Sequence, residues 1–294
     1  MAVNLIQSTG SFAQEDVIVA SDAGLLSRRG LTVDPDKIAA DAGGKKIIRP
    51  GTILYKIEGA TKHRVGLRAK LAAAVTSGAT TALNLGEIGI SYKTKAAQYF
   101  APGDVIKVLR PYATLTLAGT WAADDEITVT VNGQSKVIIA GSTTLATIAT
   151  NVATAINGDG ALSTVVEAIA AGAVVSLFSR TLEAFEVLAT DDGAGTVTAS
   201  AVTPGGATVG TIDANGVNAT TGLVTLAAAA AVSLPIGAPV GVAEGKPWGL
   251  ILEAHDAGKF DNDIAGFTGA AVYGDRLPYW DSDIAKSLGQ IYFV

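Results

Sequence analysis

Two alternating runs joined by Asn132-Gly133 constrain this chain more than any other feature. Glu126-Ile127-Thr128-Val129-Thr130-Val131 puts Ile and Val on one face, and Gln134-Ser135-Lys136-Val137-Ile138-Ile139 begins directly after the dipeptide. A type I′ two-residue turn between antiparallel strands needs positive φ at both central positions, which Asn-Gly tolerates, so the pair predicts a β-hairpin. Ser142-Thr143-Thr144 then supplies helix N-cap residues ahead of Leu145, Ile148, Ala149, Val152 and Ile156. That spacing predicts a helix with one apolar face, stopped at Asn157-Gly158. Thr114 to Gly119 alternates as a strand upstream, and 165–170, 173–178, 185–189 and 196–201 read as strands downstream. This middle segment is expected to be a compact sheet with one covering helix.

The rest of the chain is also β-rich. Of 294 residues 49% are hydrophobic, mainly Ala, Val, Ile and Leu interleaved with Thr and 34 glycines, and aromatics reach only 6%. The longest uncharged stretch, Ala214 to Ala243, is long enough for a bilayer, but Pro235, Pro239, several glycines and Thr220, Thr221 and Thr225 break it. No Lys/Arg cluster flanks it, so no membrane span is expected. Met1 to Ser8 lacks a basic region ahead of an apolar core, and no secretory signal is read there. The absence of cysteine excludes disulfide frameworks, thiolate metal sites and cysteine nucleophiles. With 21 Lys+Arg against 27 Asp+Glu, a net −6, the balance argues against a nucleic-acid partner.

Residues 1–46 mix polar, small and isolated apolar residues with turn signals at Asp22-Ala23-Gly24 and Asp34-Pro35-Asp36. They read as an extended arm, or as a leader laid over its own domain. Arg49-Pro50-Gly51-Thr52-Ile53-Leu54 opens a compact β body, while Val65 to Ala72 fits a strand or a short helix. Ala79-Thr80-Thr81-Ala82-Leu83-Asn84-Leu85 followed by Pro102-Gly103-Asp104-Val105-Ile106 has a fainter second copy. That copy is Ala219-Thr220-Thr221-Gly222-Leu223-Val224 followed by Pro235-Ile236-Gly237-Ala238-Pro239-Val240. Either these are two related β-units, or Ala/Thr/Gly-rich strands resemble one another by composition. The expected fold is mainly β: two related units, barrel or tulip-like, with an α+β insertion and an extended N-terminal arm. The expected divisions are the arm 1–46, a discontinuous β body 47–111 plus 217–294, and an inserted module with connector 112–216.

On the hairpin Ile127 to Gly133, the small-residue helix ending Val152-Ala153-Thr154-Ala155-Ile156-Asn157, and the strand pair joined at Ala171-Gly172, residues 114–201 resemble the small β-plus-helix modules inserted in tailed-phage structural proteins. With Arg49 to Leu54 opening the body and Gly-rich β-units on either side, the wider chain is similar to tailed-bacteriophage head decoration (cement) proteins. The resemblance implies a non-enzymatic virion protein on the outer surface of an icosahedral capsid, assembled in the host cytoplasm. It also implies the major capsid protein as partner and a homo-oligomer, a trimer, with no cofactor. A tail-tube or tail-fibre component and a carbohydrate-binding adhesion module are the alternative readings.

Side chains suited to chemistry are sparse. His63 sits in the basic run Lys62-His63-Arg64, and His255 lies in Glu253-Ala254-His255-Asp256 without a Gly-x-Ser-x-Gly turn. Asp261-Asn262-Asp263 begins like a calcium loop, but Ala265 and Val272 occupy ligand positions. Asp124-Asp125-Glu126 and Asp191-Asp192 read as solvated turns, and Gly205 to Gly210 as a flexible connector. No catalytic, cofactor or metal residues are assigned. The candidate capsid or subunit contacts are Leu5, Ile6, Phe12, Val17 and Ile18 in the arm, and Trp248, Tyr279, Trp280, Tyr292 and Phe293 in the aromatic C-terminal region; for any single one of the latter, filling the core of the second β-unit is the favoured alternative. The arm is expected to do much of the anchoring, so that deleting residues 1–46 would abolish capsid binding while leaving the fold intact.

Overall fold

A computed structural model describes residues 19–21, 29–88, 94–181, 183–243, 245–251, 255–258, 263–267, 270–272, 284, 288 and 291–293. The first strands are β1 (Val19–Ser21), β2 (Arg29–Thr32), β3 (Ile47–Ile48), β4 (Ile53–Ile57) and β5 (Arg64–Val65). Next come β6 (Arg68–Lys70), β7 (Ala82–Asn84), β8 (Glu87–Ile88), β9 (Thr94–Lys95) and β10 (Val105–Val108). The middle segment holds β11 (Tyr112–Gly119), β12 (Glu126–Val131), β13 (Gln134–Ile139), α1 (Leu145–Gly158) and α2 (Leu162–Val165). It continues with β14 (Val166–Ala171), β15 (Val174–Ser179), β16 (Val187–Asp191) and β17 (Gly195–Ala199). The chain returns through β18 (Thr208–Asn218), β19 (Leu223–Leu226), β20 (Pro239–Gly241) and β21 (Gly245–Ile251). Last are β22 (His255–Asp256), β23 (Asp263–Phe267), β24 (Ala270–Val272) and β25 (Ile291–Phe293). The protein is mainly β, and 65–72 holds the end of β5 and the short strand β6, with Gly66 between them, and no helix.

Six strands form one sheet in the order β6-β20-β10-β18-β19-β7. The Ala72 N–H, just past β6, donates to the Asn84 carbonyl at the end of β7 (2.8 Å), so the two ends of the row meet and the sheet curls into a barrel. The repeated segments explain this order. β7 of the first copy pairs with β19 of the second, Leu83 opposite Val224, and β10 pairs with β20, Val108 opposite Val240. Exchanging β10 with β20, β7 with β19 and β6 with β18 leaves the order unchanged, a pseudo-twofold relation. The two units are therefore interleaved around one core, not set side by side. Strands of three or four residues cannot cover a core alone, and pairing each copy with the other closes it. Both copies enter their second strand through a type II turn. Gly103 (φ 81°) and Gly237 (φ 84°) occupy the left-handed position, and the turns close through Asp104 N–H to Ala101 O and Ala238 N–H to Pro235 O.

A second sheet, β2-β23-β21-β4-β5, shares that core through Ile53, Leu54, Tyr55, Leu250 and Ile251. Within the segment expected as an arm, β2 pairs with β23, and Val33 and Ile38 are buried in the same core. Deletion through Lys46 would therefore remove core side chains as well as any anchor. At the other boundary, residues 208–216, grouped by the sequence with the module and its connector, are barrel strand β18, held there by buried Val209 and Ile212.

The module leaves the barrel after β10 and returns at β18. Sheets β14-β15-β11-β17 and β13-β12-β16, with α1, enclose a separate core that includes Leu115, Leu117, Ile127, Val129, Val175 and Leu177. The hairpin turn has φ 48° at Asn132 and 78° at Gly133, as type I′ requires. Helix α1 buries Ile148, Ala149, Val152, Ala153 and Ile156. Its ends differ from expectation: Thr144 is the N-cap position but makes no side-chain cap bond, and Gly158 is the last helical residue, not a left-handed stop. Asn157 fastens that end instead, donating to Ala168 O (2.8 Å) and accepting from Ala168 N–H (2.9 Å) on β14. Module and barrel are joined by Arg110, Glu167 and Lys70: Glu167 takes Arg110 at 3.0 Å and Lys70 at 3.6 Å.

Candidate contact surface

His63 is held by backbone bonds to Thr32 and Asp34, and its ring meets Trp248 at 5.6 Å between centroids, tilted by 59°. Burial lowers its pKa below the usual histidine value. His255 on β22 is likewise lowered, first by burial, with Asp256 opposing. The Asp256 carboxylate accepts the backbone N–H groups of Lys46 (3.3 Å) and Gly258 (3.1 Å). The acidic turns are also engaged with backbone: Asp125 accepts Ala122 N–H (2.8 Å), Asp192 accepts Glu126 N–H (2.7 Å) and Asp191 accepts Val197 N–H (2.9 Å). Asp263 opens β23, while Asp261 and Asn262 lie outside the described residues. Among the described residues, no group of three or more His, Asp or Glu is placed to hold a metal ion, and no helix is long and apolar enough to cross a membrane.

Of the contact candidates read from the sequence, Leu5, Ile6, Phe12, Val17, Ile18, Tyr279 and Trp280 lie outside the described residues. Trp248 is half-buried against the main core. Tyr292 and Phe293 lie in β25, which runs parallel to β24 with Tyr292 opposite Ala271 and Phe293 opposite Val272. Strand β24 also takes β1 on its other side, Val19 opposite Val272. One three-stranded sheet thus brings together segments from the two ends of the sequence.

The sequence reading missed a surface on the module. Along β13 the side chains alternate, so buried Ile138 sends Val137 and Ile139 to the outer face, 52% and 51% exposed. The register sets Val137 beside Thr128, with Thr190 on the far side of Thr128, and Ile139 beside Glu126; Leu188 of β16, 69% exposed, sits opposite Thr130. The signal was present in Val137-Ile138-Ile139: three successive apolar residues on a two-faced strand must leave some of them outside. Beside Leu188 a groove of about 350 Å³ is lined by Phe185, Glu186, Val187, Ser200, Ala201 and Val202.

Charge is divided between the two parts. Residues 112–203 hold nine of the 27 acidic side chains and two of the 21 basic ones, a net −7, so the remainder is +1. Both basic residues of the module are engaged elsewhere. Lys136 pairs with Asp159 (3.3 Å), and Arg180 donates from Nε to the Val166 carbonyl (3.4 Å).

No family model matches the chain, and no curated protein matches it. Among solved structures it is similar to a chain from Mycobacterium phage Patience at 14% identity and a TM-score of 0.25, with 85% of this chain and 95% of that chain covered. That score is below the level at which two chains share a fold.

Proposed function

We propose that this protein is a non-enzymatic structural component of a tailed-phage virion that binds the outer surface of the capsid, as a decoration or cement protein. The observation that supports it is the insertion: an α+β module with its own core, spliced into a pseudo-twofold barrel between β10 and β18. This is the organisation implied by the resemblance of residues 114–201 to inserted phage modules. The partner in this reading is the major capsid protein, and the protein acts as a homo-oligomer, a trimer. An acidic module favours a protein surface over packaged nucleic acid, which would repel it.

Co-sedimentation of the purified protein with matching decoration-free heads tests this directly, with solution mass recorded on the same sample. Saturable binding at a fixed ratio to the shell protein is expected. Absence of binding together with rings or fibres in solution would move the protein to the tail, and a specific glycan ligand would favour the adhesion reading. The anchoring role of the arm is tested by removing only residues 1–28, which leaves β2, Val33 and Ile38 in place. Undiminished binding by that truncation would show that the arm is not the anchor.

A further inference from the structure

Among the described residues, the outer face of β13-β12-β16 is an unpartnered aliphatic surface whose ends carry only negative charge. Val137 and Ile139 line one side and Leu188 and Thr190 the other, with Thr128 and Thr130 between. Exposed Glu126 and Asp192 stand at one end of the face and exposed Glu186 at the other. β16 has a further property. Asp192 N–H bonds Glu126 O and Asn132 N–H bonds Glu186 O, so the even-numbered residues of this strand turn their backbone groups to β12. By the same alternation the backbone groups of Val187 and Ala189 turn away from β12, on the side where Val187 lines the groove. Among the described residues, β12 is the one strand that shares a backbone ladder with β16; β17 meets its far end, where Val197 N–H bonds the Asp191 carboxylate.

We propose that this face and groove dock an extended segment of another protein, with aliphatic side chains at alternate positions and Lys or Arg at its ends. The outward backbone groups of β16 offer strand-type hydrogen bonds, the groove takes an aliphatic side chain beside Leu188, and the carboxylates meet the cationic ends. Charge complementarity selects the occupant. A second copy presenting the same face would oppose Glu186 and Asp192 with carboxylates, and nucleic acid or an anionic membrane would be repelled. The inference goes beyond the virion reading and does not depend on it.

The test uses the full-length protein and a labelled short peptide of alternating Val and Thr flanked by lysines, followed by fluorescence anisotropy. Saturable binding is expected, weakening as salt rises and weakened at least about tenfold by Leu188→Lys. Leu188 is largely exposed, so circular dichroism should show that variant folded. The double variant Glu186→Lys with Asp192→Lys should also lose binding, and a peptide flanked by glutamates should not bind. Absence of binding by the lysine peptide, equal binding of both peptides, or affinity untouched by Leu188→Lys would overturn the proposal. A concentration-dependent dimer abolished by Leu188→Lys would overturn it in favour of a second copy.

Discussion

Arg64 and Asp104 form a two-pronged ion pair, with Nη1 to Oδ1 and Nη2 to Oδ2 both at 2.7 Å and both side chains almost wholly buried. Arg64 belongs to β5 in the second sheet, and Asp104 closes the turn into barrel strand β10, where it also accepts Ala101 N–H (2.8 Å). The pair couples the two sheets of the body. Asp104→Ala leaves a buried guanidinium without this carboxylate and is expected to cost about 3–5 kcal/mol. The check is the urea midpoint. Replacing both partners by apolar residues should cost less than the two single changes added together.

Gly195 is required by Trp121. A Cβ at residue 195 would fall within contact distance of the indole atoms that real side chains do not reach, and Trp121 is held by its Nε1–H bond to Ala118 O (2.9 Å). Gly195→Ala is expected to destabilise by about 1–3 kcal/mol, as overpacking does. A shift of tryptophan emission should accompany the loss of stability; an unchanged midpoint and spectrum would show that the indole moves aside freely.

The histidines make stability depend on pH in one direction. Burial lowers the folded pKa of His63 and of His255 below the unfolded value near 6.5. Between the folded and unfolded values the unfolded chain binds more protons, so each contribution is fully present above 6.5 and is lost as pH falls towards the folded pKa. Thermal midpoints recorded from pH 7.5 down to 5 should fall. His63→Gln combined with His255→Gln should flatten that part of the profile, and an identical slope in the double variant would refute the assignment.

Glu167 bridges Arg110 and Lys70 where the module meets the barrel, and Tyr112 stacks on Phe178 beside it, 5.7 Å between centroids. Glu167→Ala is expected to lower stability by about 1–3 kcal/mol, because the buried Arg110 loses a charge-assisted bond. Differential scanning calorimetry is the informative readout. Loss of the bridge should weaken cooperation between the two cores, broadening or splitting the transition, whereas a sharp transition at the original temperature would place the coupling elsewhere.

Much of the module was legible because its information is local. Asn132-Gly133 specifies the turn, period-two alternation specifies β12 and β13, and the stripe from Ile148 to Ile156 specifies the buried side of α1. The helix ends were less legible, since Asn157 acts through a contact to β14 that no local pattern announces. The contact face was within reach: once Ile138 pairs with Ile127 and turns inward, Val137 and Ile139 must turn outward. Leu188 needed the third strand, whose register nothing near it in sequence specifies. The reverse holds for Trp248, conspicuous among few aromatics yet resting on His63 at the edge of the core.

The sequence by itself determined the β character, the hairpin, the helix and the presence of two similar segments, because each depends on residues close together along the chain. Only the tertiary structure decided that those segments pair with each other, Leu83 with Val224 and Val108 with Val240, and that Arg64 meets Asp104 and Trp121 covers Gly195. Such contacts are selected by the joint burial of distant side chains in a shared core. A strand of three or four residues carries too little pattern to name its partner.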